Sequence, residues 1–102
     1  MRAHRGRFIW VYRRAEPGSA NETPRPRLGL MIGKKNARTA ALRNAVKRRI
    51  REQFRLRQTA LPASQYVVRL SIKITTKDVR AVIAEWTGAL EHDIAKLAAA
   101  KS

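Results

Sequence analysis

Leu42, Val46, Ile50 and Phe54 fall within an arc of about 120° when residues 42–55 are wound at about 100° per residue. That spacing predicts a surface helix with one buried stripe. The helix begins near Thr39, whose hydroxyl can cap free N–H groups, and runs to about Arg57, roughly 28 Å at 1.5 Å per residue. Leu61–Pro62 ends the segment. A second helical pattern starts at Thr76, with Val79, Val82, Ile83, Trp86, Leu90, Ile94 and Leu97 at three- and four-residue intervals and Asp78 in the first turn. Three stretches read as strands: residues 7–13 (RFIWVYR), 27–32 (RLGLMI) and 66–74 (YVVRLSIKI). In the first, alternation puts Phe8, Trp10 and Tyr12 on one face and Ile9 with Val11 on the other, so both faces want cover. Residues 15–26, with three of the four prolines, read as an exposed loop, and residues 1–6 and 99–102 as flexible ends. The whole chain, 1–102, is a single domain.

The strand–helix–strand order through residues 28–74 predicts a crossover between parallel strands of one sheet, with the helix's apolar stripe on the sheet. The expected fold is α/β: a small mixed sheet, a β-α-β crossover and a C-terminal helix in a two-layer sandwich.

Charge sharpens this picture. Twenty-three Lys and Arg against seven Asp and Glu give a net +16, a balance that favours a polyanionic partner. Most of the cations are arginines, whose planar fork suits phosphate. On the first helix, Asn44, Lys47, Arg48, Arg51 and Arg55 share a separate arc of about 100°. The pairs Lys47–Arg51 and Arg51–Arg55 repel at i, i+4, a cost that a phosphate backbone would remove. Without cysteine the chain has no disulfide, zinc finger or thiol chemistry. It has no run of 18 apolar residues and no secretory signal, so the expected setting is cytoplasmic, with no membrane partner.

Residues 27–68 carry a more specific signal: a short RLGL strand, the triplet Lys34–Lys35–Asn36, six residues, then RN-x-x-KR-x-x-RE-x-FR from Arg43 to Arg55. This arrangement resembles the protein subunit of bacterial ribonuclease P, of proteobacterial type. The resemblance implies a left-handed β-α-β crossover, against the usual right-handed preference. It implies that a catalytic RNA, using Mg²⁺ held mainly by that RNA, removes the 5′ leader of precursor tRNA. The protein would bind that RNA, one protein per RNA, and hold the leader in a cleft on the sheet. Carried over by position, Lys34, Lys35, Arg43, Asn44, Lys47, Arg48 and Arg51 match the RNA-contacting motif, with Arg55 on the same edge.

The chain departs from the pattern in several places. Ala45 stands where the motif's second Arg is usual, and Arg49–Ile50 where an apolar and then a variable residue are usual. Arg69 and Lys73 interrupt a strand that is usually more apolar. The chain also opens almost directly on its first strand, where the family has a helix forming one wall of the leader cleft.

The aromatic strand has two readings. Trp10 or Tyr12, flanked by Arg7, Arg13 and Arg14, could stack on RNA bases. The reading adopted places Phe8 and Trp10 in the core beneath the first helix, which leaves Ile9, Val11 and Arg13 to line the leader cleft. No catalytic or metal site is expected on the protein. Glu91 and Asp93 diverge by about 200° on a helix, Glu52 has Arg48 and Arg55 in reach, and His4 and His92 show no partner. The alternatives are a structural protein of the ribosome or another ribonucleoprotein, and a DNA-binding regulator. The nearly uniform phosphate-type edge argues against the latter.

Overall fold

The computed structural model describes residues 2–15 and 25–101. Its elements are β1 (Arg2–Arg5), β2 (Ile9–Ala15), β3 (Arg27–Met31), α1 (Ala40–Arg57), β4 (Ser64–Leu70) and α2 (Val79–Lys101). Short 3₁₀ turns at Gln58–Ala60 and Thr76–Asp78 follow α1 and precede α2. The strands form one mixed sheet in the order β1-β2-β4-β3. β2 is antiparallel to β1 and β4, whereas β3 runs parallel to β4, and α1 joins that parallel pair as the strand–helix–strand pattern predicts.

Both helices pack on one face of the sheet. Leu42, Val46, Ile50 and Phe54 of α1 are buried, as are Val82, Ile83, Trp86 and Leu90 of α2. Beneath them lie Ile9 and Val11 of β2 with their register partners Leu70 and Val68. The aromatic centre of this layer is Phe54, Tyr66 and Trp86, with ring centroids 5.8 to 6.4 Å apart. Such contacts add to the area that burial already removes from water. The Trp86 indole N–H donates to the Ile50 carbonyl at 2.9 Å, tying α2 to the middle of α1.

The ends of the helices follow local chemistry. The Thr39 hydroxyl accepts the Leu42 N–H at 3.1 Å and caps α1. Thr75 and Asp78 form a reciprocal capping box ahead of α2, with the Thr75 N–H 2.8 Å from the Asp78 carboxylate.

Three expectations are corrected. Residues 2–5 are a strand paired in register with Trp10–Arg13, although a short basic stretch with little apolar character reads as a loose end. α2 runs to Lys101, into the stretch 99–102 read as a flexible end, as its alanines favour. The third predicted strand stops at Leu70 rather than Ile74. There Asn36 donates its side-chain N–H to the Leu70 carbonyl at 3.0 Å, and the Ile74 N–H returns to the Asn36 carbonyl at 2.8 Å. Of the predicted loop at 15–26, Ala15 closes β2, while residues 16–24 lie outside the described residues.

Candidate nucleic-acid interface

With its apolar stripe against the sheet, α1 turns Asn44, Arg48, Arg51 and Arg55 outward as exposed side chains, with Lys47 half-exposed beside them. The predicted edge is therefore assembled on one surface. Glu52 pairs with Arg55 at 2.7 Å, and this contact raises the Arg55 pKa above its ordinary value. No described carboxylate pairs with Lys47, Arg48 or Arg51. The first turn of α1 holds no acid, so nothing there offsets the positive end of the helix dipole. The repulsion between Lys47 and Arg51 on successive turns is therefore offset by no described carboxylate.

Lys34 and Lys35 sit in the turn that leads from β3 toward α1, and both are exposed. Asn36 fixes this turn through its bonds to the end of β4, and the Asn36 and Ala37 N–H groups close it by donating to the Gly33 carbonyl at 3.3 and 3.0 Å. The two lysines thus project from an anchored turn close to the start of α1. Arg43 behaves differently from the other motif cations. Its guanidinium donates to the carbonyls of Ala37 and Arg38 at 3.0 and 3.2 Å, bracing the entry to the helix. Arg49, left out of the predicted set, is exposed one turn beyond Ala45. A helical side chain covers the turn N-terminal to its own Cα, so Arg49 lies over the surface that Ala45 leaves bare.

The predicted leader cleft is corrected. Ile9 is 0% and Val11 4% exposed, packed under the helices. The Arg13 side chain is on the same face, where it meets Asp93 at 3.4 Å. The parity of β2 is the reverse of that expected. Trp10 and Tyr12 occupy the opposite, open face, because Phe54, Tyr66 and Trp86 already supply the core's aromatic volume. Phe8 precedes the strand and packs partly against the core.

That open face is basic and aromatic. Register brings Arg5, Trp10 and Arg69 side by side across three strands, with Tyr12 beside Val67 and Arg14 beside Gln65. The guanidinium carbons of Arg5 and Arg69 lie 4.7 and 5.1 Å from the Trp10 ring centroid. Met31, 62% exposed, extends the face on β3. The sequence shows only that Arg14 shares the parity of Trp10 and Tyr12 on β2, whereas bringing Arg5 and Arg69 beside Trp10 takes the strand pairing.

The described acids are engaged elsewhere. Glu85 accepts the backbone N–H groups of Arg7, Phe8 and Ile9 at 3.0 to 3.2 Å. Glu91 pairs with Arg57 at 2.6 Å, and Asp93 takes the Tyr66 hydroxyl at 2.9 Å. His4 and His92, distant in sequence, line one small cavity of about 90 Å³ with Arg13 and Asp93. Among the described residues no three His, Asp or Glu side chains come together to hold a metal ion. No described helix is long and apolar enough to cross a membrane.

The family model for ribonuclease P matches residues 1–93. The ribonuclease P protein component of Bordetella parapertussis is 44% identical over 81 residues, 79% of this chain and 66% of that protein. That of Escherichia coli O157:H7 is 46% identical over 65 residues, 64% of this chain and 55% of that protein. The chain thus spans less than two thirds of the length of either relative. The Staphylococcus aureus ribonuclease P protein superposes with a TM-score of 0.64 at 27% identity, over 95% of this chain and 80% of that one. Together with the mixed sheet and the motif helix, these likenesses place the chain in the ribonuclease P family, that of the bacterial enzyme's protein component.

Proposed function

We propose that the chain binds the RNA subunit of ribonuclease P through the outer face of α1 and the Lys34–Lys35 turn. On this reading Lys34, Lys35, Asn44, Lys47, Arg48, Arg51 and Arg55 contact phosphates, and Arg43 contributes while bracing the loop. The observation that carries it is the row Lys47, Arg48 and Arg51, held outward on a buried-stripe helix with no described carboxylate to neutralise it. A helix that carries such repulsion is relieved by a polyanion.

The second part of the reading concerns precursor tRNA, whose single-stranded 5′ leader lies on the open face of the sheet. The support is the combination of half-buried Trp10 and Tyr12 with Arg5, Arg14 and Arg69, since single strands are held by rings beside cations. The RNA subunit performs the cleavage, one protein serving one RNA in the cytoplasm. Each described carboxylate with a partner is committed to a cation, a hydroxyl or backbone N–H groups, and among the described residues no cluster of three suits a metal ion. On this reading the Mg²⁺ of the reaction is held mainly by the RNA subunit, and no step is assigned to it on this chain.

The test mixes the chain with its cognate catalytic RNA and precursor tRNA at low Mg²⁺. Faster 5′ cleavage is expected, and the gain should be larger for substrate bearing a leader than for one with a single leader nucleotide. No stimulation despite a native circular dichroism spectrum contradicts the proposal.

A further inference from the structure

On the open face, Trp10 occupies the middle of a ladder rather than standing free. Arg5 comes from β1 and Arg69 from β4, the two neighbours of β2, and both are the register partners of Trp10. Their guanidinium carbons are 4.7 and 5.1 Å from the ring centroid, so the indole carries a guanidinium from each of the two flanking strands. Tyr12 meets Trp10 edge-on, with centroids 6.4 Å apart. A base seeking to stack on Trp10 would have to displace one of the arginines.

Stacking a guanidinium on a ring uses its face and leaves its in-plane N–H donors free. No described carboxylate takes those donors from Arg5 or Arg69. Adjacent strands lie about 4.8 Å apart, which puts the two arginine backbones roughly 10 Å from one another across β2. The indole restrains both long side chains, lowering the entropy lost when they close on a ligand. The indole is half-buried, with a guanidinium fork from each neighbouring strand lying over it.

We infer that Arg5, Trp10 and Arg69 form a backbone clamp for single-stranded RNA, in which the two arginines take two phosphates of one strand and Trp10 positions them without stacking on a base. The inference rests on the open face being an RNA surface, and it assigns base stacking on that face to Tyr12 instead. The strand crosses β1, β2 and β4, and it is gripped independently of sequence at Trp10.

The experiment uses the full chain and two short single-stranded RNA oligomers of equal length, one normal and one with abasic sugars at its central positions. Arg5→Ala combined with Arg69→Ala should flatten the slope of log K against log salt by about 1.4, two single-strand phosphate contacts. Trp10→Ala should weaken both oligomers by the same factor, on the order of tenfold. Trp10→Phe, which keeps a ring between the arginines, should recover most of that loss. Circular dichroism confirms that each variant is folded, and the Phe variant serves if the Ala variant is not. Trp10→Ala that weakens only the base-bearing oligomer shows a base on the indole and overturns the clamp. An unchanged salt slope in the double arginine variant overturns it too. If the wild-type chain binds neither oligomer while still binding the RNA subunit, the open face is no RNA surface and the clamp falls with that reading. Normal slopes with loss only in Tyr12→Ala would leave the surface standing and remove the clamp alone.

Discussion

Glu85 shows how one side chain can set the shape of a surface it does not join. Its carboxylate gathers the N–H groups of Arg7, Phe8 and Ile9, pinning the β1–β2 turn to α2. Gly6 leaves room for it: a Cβ there would collide with the Glu85 carboxylate. Glu85→Ala should cost about 1–3 kcal/mol in urea unfolding, the range for stranding bonded polar groups. Gly6→Ala should destabilise the wild type and cost less in the Glu85→Ala background, because the two sites share one contact. Equal costs in both backgrounds would show that the carboxylate does not occupy the turn. Ala45 is the converse case, a gap in a binding surface. Ala45→Arg should add a phosphate contact beside Arg49, steepening log K against log salt for the RNA subunit by about 0.7–0.9. An unchanged slope would mean that Arg49 already serves that phosphate or that none lies there.

Among the elements, α1 was the most legible in the sequence. A strict apolar stripe, a threonine cap and a segregated cationic edge all point to one orientation, and the helix adopts it. The parity of β2 was not legible, because Phe8, Trp10 and Tyr12 alternate with Ile9 and Val11 and either set could face the core. What decides it is the aromatic volume that Phe54, Tyr66 and Trp86 bring from three other elements, information not contained in the strand. β1 is not legible in the sequence because its four residues carry no apolar alternation, and its strand character comes from pairing with β2. As a result the RNA-subunit side of the candidate site could be read residue by residue, whereas the open sheet face emerged only with the register. The contact between β4 and α2 gives a test of this layer. Burial first, then the hydrogen bond to Asp93, pushes the Tyr66 pKa up from its ordinary value. The unfolded chain releases that proton near pH 10 while the folded one keeps it. Stability linked to Tyr66 is therefore full below about pH 10 and falls as pH rises beyond it. Tyr66→Phe should lack that share of the alkaline loss in denaturation midpoints, and parallel curves for the two proteins would contradict the assignment.

At the scale of the molecule, the two-layer arrangement separates two cationic surfaces. The outer face of α1 points away from the sheet, and the ladder of Arg5, Trp10 and Arg69 lies on the sheet's far side. A net charge of +16 on 102 residues resists compaction unless anions gather around it, so as salt falls RNA binding should tighten while the free chain loses stability to its own repulsion. The division also predicts separable losses: changes on α1 affect assembly with the RNA subunit, and changes on the open face affect the single strand. The central claim is that α1 makes the phosphate contacts with the RNA subunit. It is tested most directly by measuring the affinity of the Arg48→Glu, Arg51→Glu double variant for that RNA across a salt series. Binding should be lost at moderate salt, and whatever remains at low salt should show a slope shallower than wild type, with native circular dichroism throughout. Wild-type affinity and slope in a correctly folded double variant would contradict the claim.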